Sequence, residues 1–205
     1  MNFTTELFEL DVSDHVMAIV HDDGVYRHLR FQKPGSWHMM FDVHTWPGYL
    51  CYTGDMGTFV FKRLPDMLEF FRRDSNQPKF QIDFNYWAEK LEAVDRGDGV
   101  REWSAAAFEL RVKDYFDQFT SDAEEWPQPR KAALWEEIKS DVLSASAENE
   151  HRGLVALHDF SFDGFQFEDW GYDGKVWTFR FLWCCHALEW AVDKYDEVTA
   201  AGQVG

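Results

Sequence analysis

Apolar and polar positions alternate with a period of two through the first third of the chain, and the period lengthens at Leu64. From Thr58 to Arg63 the phenylalanines at 59 and 61 fall on one side and Thr58, Val60 and Lys62 on the other, the spacing of a half-buried strand. Val25, Arg27, Leu29 and Phe31 oppose Tyr26, His28, Arg30 and Gln32 in the same way across Val25 to Lys33. Val16 to His21, Trp37 to Thr45 and Tyr49 to Thr53 bring the total to about five predicted strands. His21-Asp22-Asp23-Gly24, Pro34-Gly35, Trp46-Pro47-Gly48 and Gly54-Asp55-Met56-Gly57 are turn chemistry, because Pro presets φ and Gly supplies positive φ. Connections this short call for antiparallel pairing, since a parallel crossover takes a dozen residues or more.

Helical spacing takes over after Pro65, with Met67, Leu68, Phe70 and Phe71 recurring on one side. Phe84 to Val94 reads as a helix carrying Trp87, Leu91 and Val94, and Phe108, Val112, Tyr115 and Phe119 mark a stronger amphipathic one. A third helix, from about Arg130, aligns Leu134, Ile138 and Val142, and residues 150 to 158 form another helical piece weakened by Gly153. Phe160 to Asp173 alternates phenylalanine with polar residues around Asp163-Gly164, as a late β-hairpin or an aromatic loop would. The last element, Val176 to Val198, is apolar nearly all round and should be buried. Residues 3 to 15 fit a short lead-in strand or helix. Strands first and helices after predict an α+β fold: an antiparallel meander covered by a C-terminal set of helices, in one domain spanning 1–205, mainly β over 1–63 and mainly α and acidic over 64–205.

Charge changes the picture more than composition does. The chain carries 37 acids against 20 bases, for a net −17. Residues 1 to 82 hold only −3 of that and residues 83 to 205 hold −14. Phosphates repel such a surface, so direct binding to nucleic acid or to an anionic membrane is not expected, and a basic partner is. The opening MNFTTELFELDVSDH has neither the basic start nor the apolar core of a secretory signal, and no apolar run approaches membrane-spanning length. Cys51, Cys184 and Cys185 are an odd count with an adjacent pair, which fits a reducing compartment.

Candidate chemistry is thin. His15, His21, His28, His38 and His44 fall among the predicted strands, and His38 and His44 have the parity to share one face of one strand. Ligand sets such as H-x-x-x-H on a helix or C-x-x-C pairs are missing, so no metal, no cofactor and no catalytic residue is expected. His21-Asp22 is the dipeptide of metal phosphohydrolases, but it sits at a turn. Cys184-Cys185-His186 pairs thiols with an imidazole, yet an apolar helix makes the thiols small hydrophobes. Arg27, Arg30, Lys33, Lys62 and Arg63, interleaved with Tyr26, Phe31 and Trp37, offer a sheet face for single-stranded nucleic acid. Against these, the carboxylates of residues 83 to 205 stand as either a solvated helix surface or a rigid array that fills a basic groove. Glu136, Glu137 and Asp141 on the third helix and Asp163, Glu168, Asp169 and Asp173 around the aromatic segment are the partner-binding candidates.

The strings HLRFQKPG, TWPGYLCYTGDMGTFVF, LPDMLEFFR, NYWAEKLEAVD and FLWCCHALEWAVDKYD together resemble a family of accessory proteins encoded by tailed bacteriophages and prophages, over most of residues 25 to 196. The resemblance implies a protein acting in the cytoplasm of the infected bacterium. It brings no reaction and no catalytic residues. By analogy with small acidic phage proteins it points to a non-enzymatic inhibitor of host nucleic-acid machinery, with an anti-CRISPR protein as the specific expectation and the basic surface of a CRISPR effector as the partner. A metal-dependent hydrolase acting on nucleotides or nucleic acid, resting on the histidines and His21-Asp22, is the alternative. A phage replication or recombination accessory factor is the third.

Overall fold

The computed structural model describes residues 3–74, 76–97 and 99–202. The fold is α+β, and where the sequence reads as one domain the chain divides into two compact units, one built from 1–100 with 177–205 and the other from 101–176. Each has its own buried cluster of rings and aliphatics.

The first unit is a six-stranded antiparallel meander behind a helix. Helix α1 (Thr5–Val12) starts at Thr4, whose hydroxyl accepts the Leu7 N–H at 3.2 Å. Strands β1 (Val16–Asp23), β2 (Tyr26–Gln32), β3 (Phe41–Trp46), β4 (Tyr49–Gly54) and β5 (Gly57–Lys62) pair in chain order. The period-two pattern is obeyed: Leu29, Phe31, Phe41, Val43, Leu50, Tyr52, Phe59 and Phe61 are buried on one face. The predicted third strand starts later than expected, so Trp37 and His38 lie in the connection before Phe41 rather than on the strand.

A sixth strand replaces half of a predicted helix. Phe84–Ala88 forms one short helical turn (α3) after α2 (Met67–Phe71), and Leu91–Val94 then pairs with β5 as strand β6, Val94 opposite Phe59 and Leu91 opposite Phe61. The i, i+4, i+7 spacing of Trp87, Leu91 and Val94 is real, but an unpaired edge of β5 competes for the same residues, and ladder hydrogen bonds outweigh a marginal isolated helix.

Helix α8 (Phe179–Gly202) covers the buried face of the sheet. Thr178 opens it, its hydroxyl accepting the Phe181 N–H at 3.3 Å, while Val176 and Trp177, expected as the start of the helix, belong to strand β10 (Lys175–Trp177). Trp183 meets Phe41 edge-on at 5.5 Å between ring centres and Phe8 at 5.2 Å, Trp190 meets Phe31, and Phe181 meets Phe59. Such ring pairs add about 0.5–1.5 kcal/mol each beyond the area they bury. Cys184 and Cys185 are fully buried, and burial raises both thiols well above their ordinary pKa, so they pack as small apolar side chains.

The second unit is helical. Strand β7 (Arg101–Trp103) pairs with β10, and α4 (Ala105–Phe119) follows with Ser104 accepting the Ala107 N–H. Its buried stripe is Phe108, Val112 and Phe116, one position away from the predicted Tyr115 and Phe119 at its C-terminal end. Helix α5 (Gln128–Glu137) runs through a π-helical turn at Ile138–Leu143 into α6 (Ser144–Glu148), and Leu134, Ile138 and Val142 are buried as predicted. Gly153 in α7 (Glu150–Asp159) is there for packing: a Cβ would stand 2.8 Å from the Ser146 Cα of α6. The aromatic segment is a hairpin, β8 (Ser161–Phe162) with β9 (Phe165–Gln166), turned by Asp163 and Gly164 at φ 50° and 80° as a type I′ loop requires. Phe165 sits fully buried between Phe119, Phe160 and Phe167.

Candidate functional site

Two features of the surface carry chemistry, one in each unit. On the sheet of the first unit the face away from α8 carries a row of polar side chains fixed by register. His21 pairs with His28, His28 with His44, and His44 with Cys51, so three imidazoles and a thiol stand side by side across four strands. The His28 and His44 rings stack with centres 4.1 Å apart. Asp42, two residues before His44 on β3, therefore shares its face and reaches the same spot. One ligand atom from each of His28, Asp42 and His44 lies within 4.8 Å of the others.

Asp42 is only 7% exposed and is held by Arg30, whose Nε and Nη2 each donate to one carboxylate oxygen at 2.8 Å. Burial alone would raise its pKa, but the guanidinium prevails and holds the carboxyl below its ordinary value. Nε2 of His28 is 3.4 Å from Asp42 Oδ2 yet buried without a hydrogen bond among the described residues. Burial, and then the neighbouring His28, push His44 below the ordinary imidazole value, so its ring is neutral near pH 7 with a nitrogen lone pair to offer. Burial raises the Cys51 thiol, which stays protonated and is no nucleophile. A shallow pocket of about 520 Å³ opens over this row, lined by Tyr26, His28, His44, Trp46 and Cys51 among others.

The expected pairing of His38 with His44 does not form, because His38 precedes the strand. His21 and Asp22 separate as well: Asp22 points to the α8 side, where the Tyr195 hydroxyl donates to it at 2.9 Å and Arg27 stands 3.6 Å away. The nucleic-acid face drawn from the basic residues is not assembled either. Arg27 is clamped by Asp66, Arg30 by Asp42 and Lys33 by Asp14, and Phe31 is wholly buried. Cations already neutralised by neighbours have little left for phosphates.

In the second unit the acids outnumber the bases 17 to 8. Six of the eight bases are taken up by ion pairs within the unit: Arg101 with Asp173, Lys113 with Asp117, Arg130 with Asp163, Lys139 with Glu136, Arg152 with Glu148 and Lys175 with Glu150. Arg111 and Lys131 lie over the rings of Tyr172 and Phe116. Eleven carboxylates remain outside any ion pair among the described residues, and all eleven are exposed.

The seven candidates divide accordingly. Asp163 and Asp173 are fasteners, the first tying the hairpin turn to Arg130 and the second tying Arg101 beside β10, and Glu136 is shared with Lys139 one turn on. Glu137 and Asp141 stand four residues apart on the solvent side of the α5 rod, with only the Ser140 hydroxyl donating to Asp141. Glu168 is fixed through its backbone, its N–H donating to the Tyr115 hydroxyl at 2.9 Å, which leaves its carboxylate to solvent. Asp169, at φ 51°, joins Asp114 at a pocket of about 350 Å³ between α4 and the segment after the hairpin. Asp122, Glu124 and Glu125 extend the free acids beyond the seven, at the turn where the Asp122 carboxylate accepts the Glu124 and Glu125 N–H groups. Their closeness in sequence before Trp126-Pro127 is the signal that could have named them.

The sequence missed the His28, Asp42 and His44 group because nothing local gives the β2–β3 register across an eight-residue connection. Asp42-Val43-His44 alone, an acid and an imidazole on one face of one strand, was a legible hint. Comparison with protein-family models, with curated proteins and with solved structures finds no match. Among the described residues no helix is long and apolar enough to cross a membrane.

Proposed function

We propose that the chain is a non-enzymatic binding protein whose helical unit presents fixed carboxylates to a cationic groove on another macromolecule. One observation carries this: eleven exposed carboxylates remain outside ion pairs after nearly every base of the unit has been taken up internally. A surface that had neutralised itself would show the opposite. Duplex DNA offers one charge per about 1.7 Å of axis, so a groove built to hold it accepts carboxylates carried on helices that do not fray. In the phage setting that the resemblance implies, the target is a nucleic-acid-handling complex in the cytoplasm of the host, a CRISPR effector first, and the protein acts by competing with nucleic acid. Association of this kind is fast and weakens steeply with salt.

The test is a pull-down of purified CRISPR effector complexes by the full chain, followed by titration across salt. The expected result is binding that excludes target DNA, falls with rising salt, and drops about tenfold when Glu137, Asp141, Glu124 and Glu125 are reversed to lysine. Binding that keeps its strength in high salt with those four residues reversed overturns the carboxylate array, and no binding to any effector overturns the target.

A further inference from the structure

We propose that His28, Asp42 and His44 form a binding site for one divalent transition-metal cation of the zinc, cobalt or nickel class, on the open face of the sheet. The ligand types decide the class. Two imidazoles and one carboxylate suit borderline metals that take nitrogen, whereas calcium and magnesium ask for oxygen all round. Nothing in this depends on the acidic helical unit, which is a different part of the chain.

Four features of the arrangement support a site rather than a chance meeting of side chains. The three ligand atoms are already within 4.8 Å of one another. Bonds of about 2.0–2.1 Å around a tetrahedral ion would bring them to roughly 3.3 Å, a shift that small rotations about the side-chain bonds of His28 and His44 supply. The backbone beneath is firm, because the two histidines are direct register partners in the middle of a six-stranded sheet. Nε2 of His28 is buried 3.4 Å from Asp42 Oδ2 and makes no hydrogen bond among the described residues, so two of the ligand atoms already face each other at the spacing one cation would set. Finally, Arg30 grips Asp42 through two hydrogen bonds, the kind of outer partner that fixes a ligating carboxylate.

Arg30 also limits the site. Its positive charge faces the same carboxylate, so the affinity is modest and depends on the two nitrogens. The remaining coordination positions face the shallow pocket beside Tyr26 and Trp46, where water or an outside ligand completes the shell. Cys51, next in the row, stands outside the three-residue group, and His21 stands outside it on the other side.

The experiment uses the full chain, stripped of metal with a chelator, incubated with Co²⁺ or Zn²⁺ and passed through gel filtration before elemental analysis. One equivalent per chain is expected, with visible cobalt absorption of a low-coordinate nitrogen and oxygen site. His28→Ala and His44→Ala should each weaken binding about tenfold or more. His21→Ala and Cys51→Ser should leave it unchanged. Circular dichroism and melting of each variant separate loss of ligand from loss of fold. Less than a tenth of an equivalent on the wild-type chain, or metal retained by the folded His28→Ala/His44→Ala double variant, overturns the site.

Discussion

Arg180, in the first turn of α8, donates through Nη2 to the Asp95 carboxylate at 2.6 Å and through Nε to the Met56 carbonyl at 3.0 Å, clipping the final helix to the end of the sheet. Gly57 and Gly97 flank the guanidinium so closely that a Cβ on either would overlap it. Thr58 and Gly97 N–H groups donate to the same carboxylate. Asp95→Asn is therefore expected to cost about 1 kcal/mol, a value held down by partial exposure to solvent. Burial would raise the Asp95 pKa, but the two N–H donors and Arg180 win and lower it from the ordinary 3.8. A carboxyl with a lowered folded pKa stabilises above its unfolded value and loses that contribution as pH falls through the folded one. Urea unfolding should show the gap between wild type and Asp95→Asn at pH 7 closing once the pH drops below 3.8.

Glu189 behaves in the opposite sense. It is buried on α8, where it accepts the Phe80 N–H at 2.6 Å, and burial, helped by Asp193 nearby, raises its pKa above the ordinary 4.5. The folded protein thus prefers the protonated acid, and stability is lost as pH rises from 4.5 through the raised value. Glu189→Gln keeps an oxygen for Phe80 and removes the ionisation. Melting curves should show the variant more stable than wild type at pH 7, by roughly 2–4 °C for each kcal/mol in a chain of this length. At pH 4 the advantage should vanish.

Tyr52 is fully buried among Phe41, Phe59 and Trp183, and its hydroxyl makes no hydrogen bond among the described residues. Burial raises its pKa well above the ordinary phenol. Removing an unsatisfied hydroxyl without changing ring shape should be neutral or stabilising by about 1 kcal/mol. Denaturant titration of Tyr52→Phe checks this, and a loss of 2 kcal/mol would mean the hydroxyl has a partner after all.

The first unit is continuous across the point where residues 101–176 interrupt it: the Thr178 N–H donates to the Val100 carbonyl at 2.9 Å, and the Thr178 hydroxyl donates to the Gly99 carbonyl. A chain in which 101–176 is replaced by a short Gly/Asn/Ser turn should fold, keep a cooperative melt, and retain the tryptophan fluorescence of a buried Trp183. A compact unit inserted between neighbouring positions of another is excisable when its ends meet. Failure to fold would show that the sheet and its helix need the insert.

How much of this the residues announced varies with the range of the interactions. Phe59 and Phe61, or Leu29 and Phe31, declare their buried face by local alternation, and the sheet confirms it. Leu134, Ile138 and Val142 do the same for a helix. Leu91 and Val94 misled because their state was decided by the free edge of β5, where they pair with Phe61 and Phe59 far back in the sequence. The His28, Asp42 and His44 cluster was hidden for a similar reason: strand register is a tertiary fact, and only Asp42 with His44 shares a local signal. Free carboxylates were legible as charge but not as partners, since whether Asp163 meets Arg130 or solvent depends on where a hairpin lands.

The order in which α8 arrives has a cost during synthesis. Strand β6 ends at Val94 and α8 begins at Phe179, so at about 5–20 residues per second the ribosome leaves the ring-studded face of the meander bare for roughly 4–17 s. Residues 101–176 have time to condense on their own before the closing helix emerges. Until then the nascent sheet is a sticky, half-finished surface, and slower translation or a shortage of chaperones should lower soluble yield without touching the stability of the finished molecule.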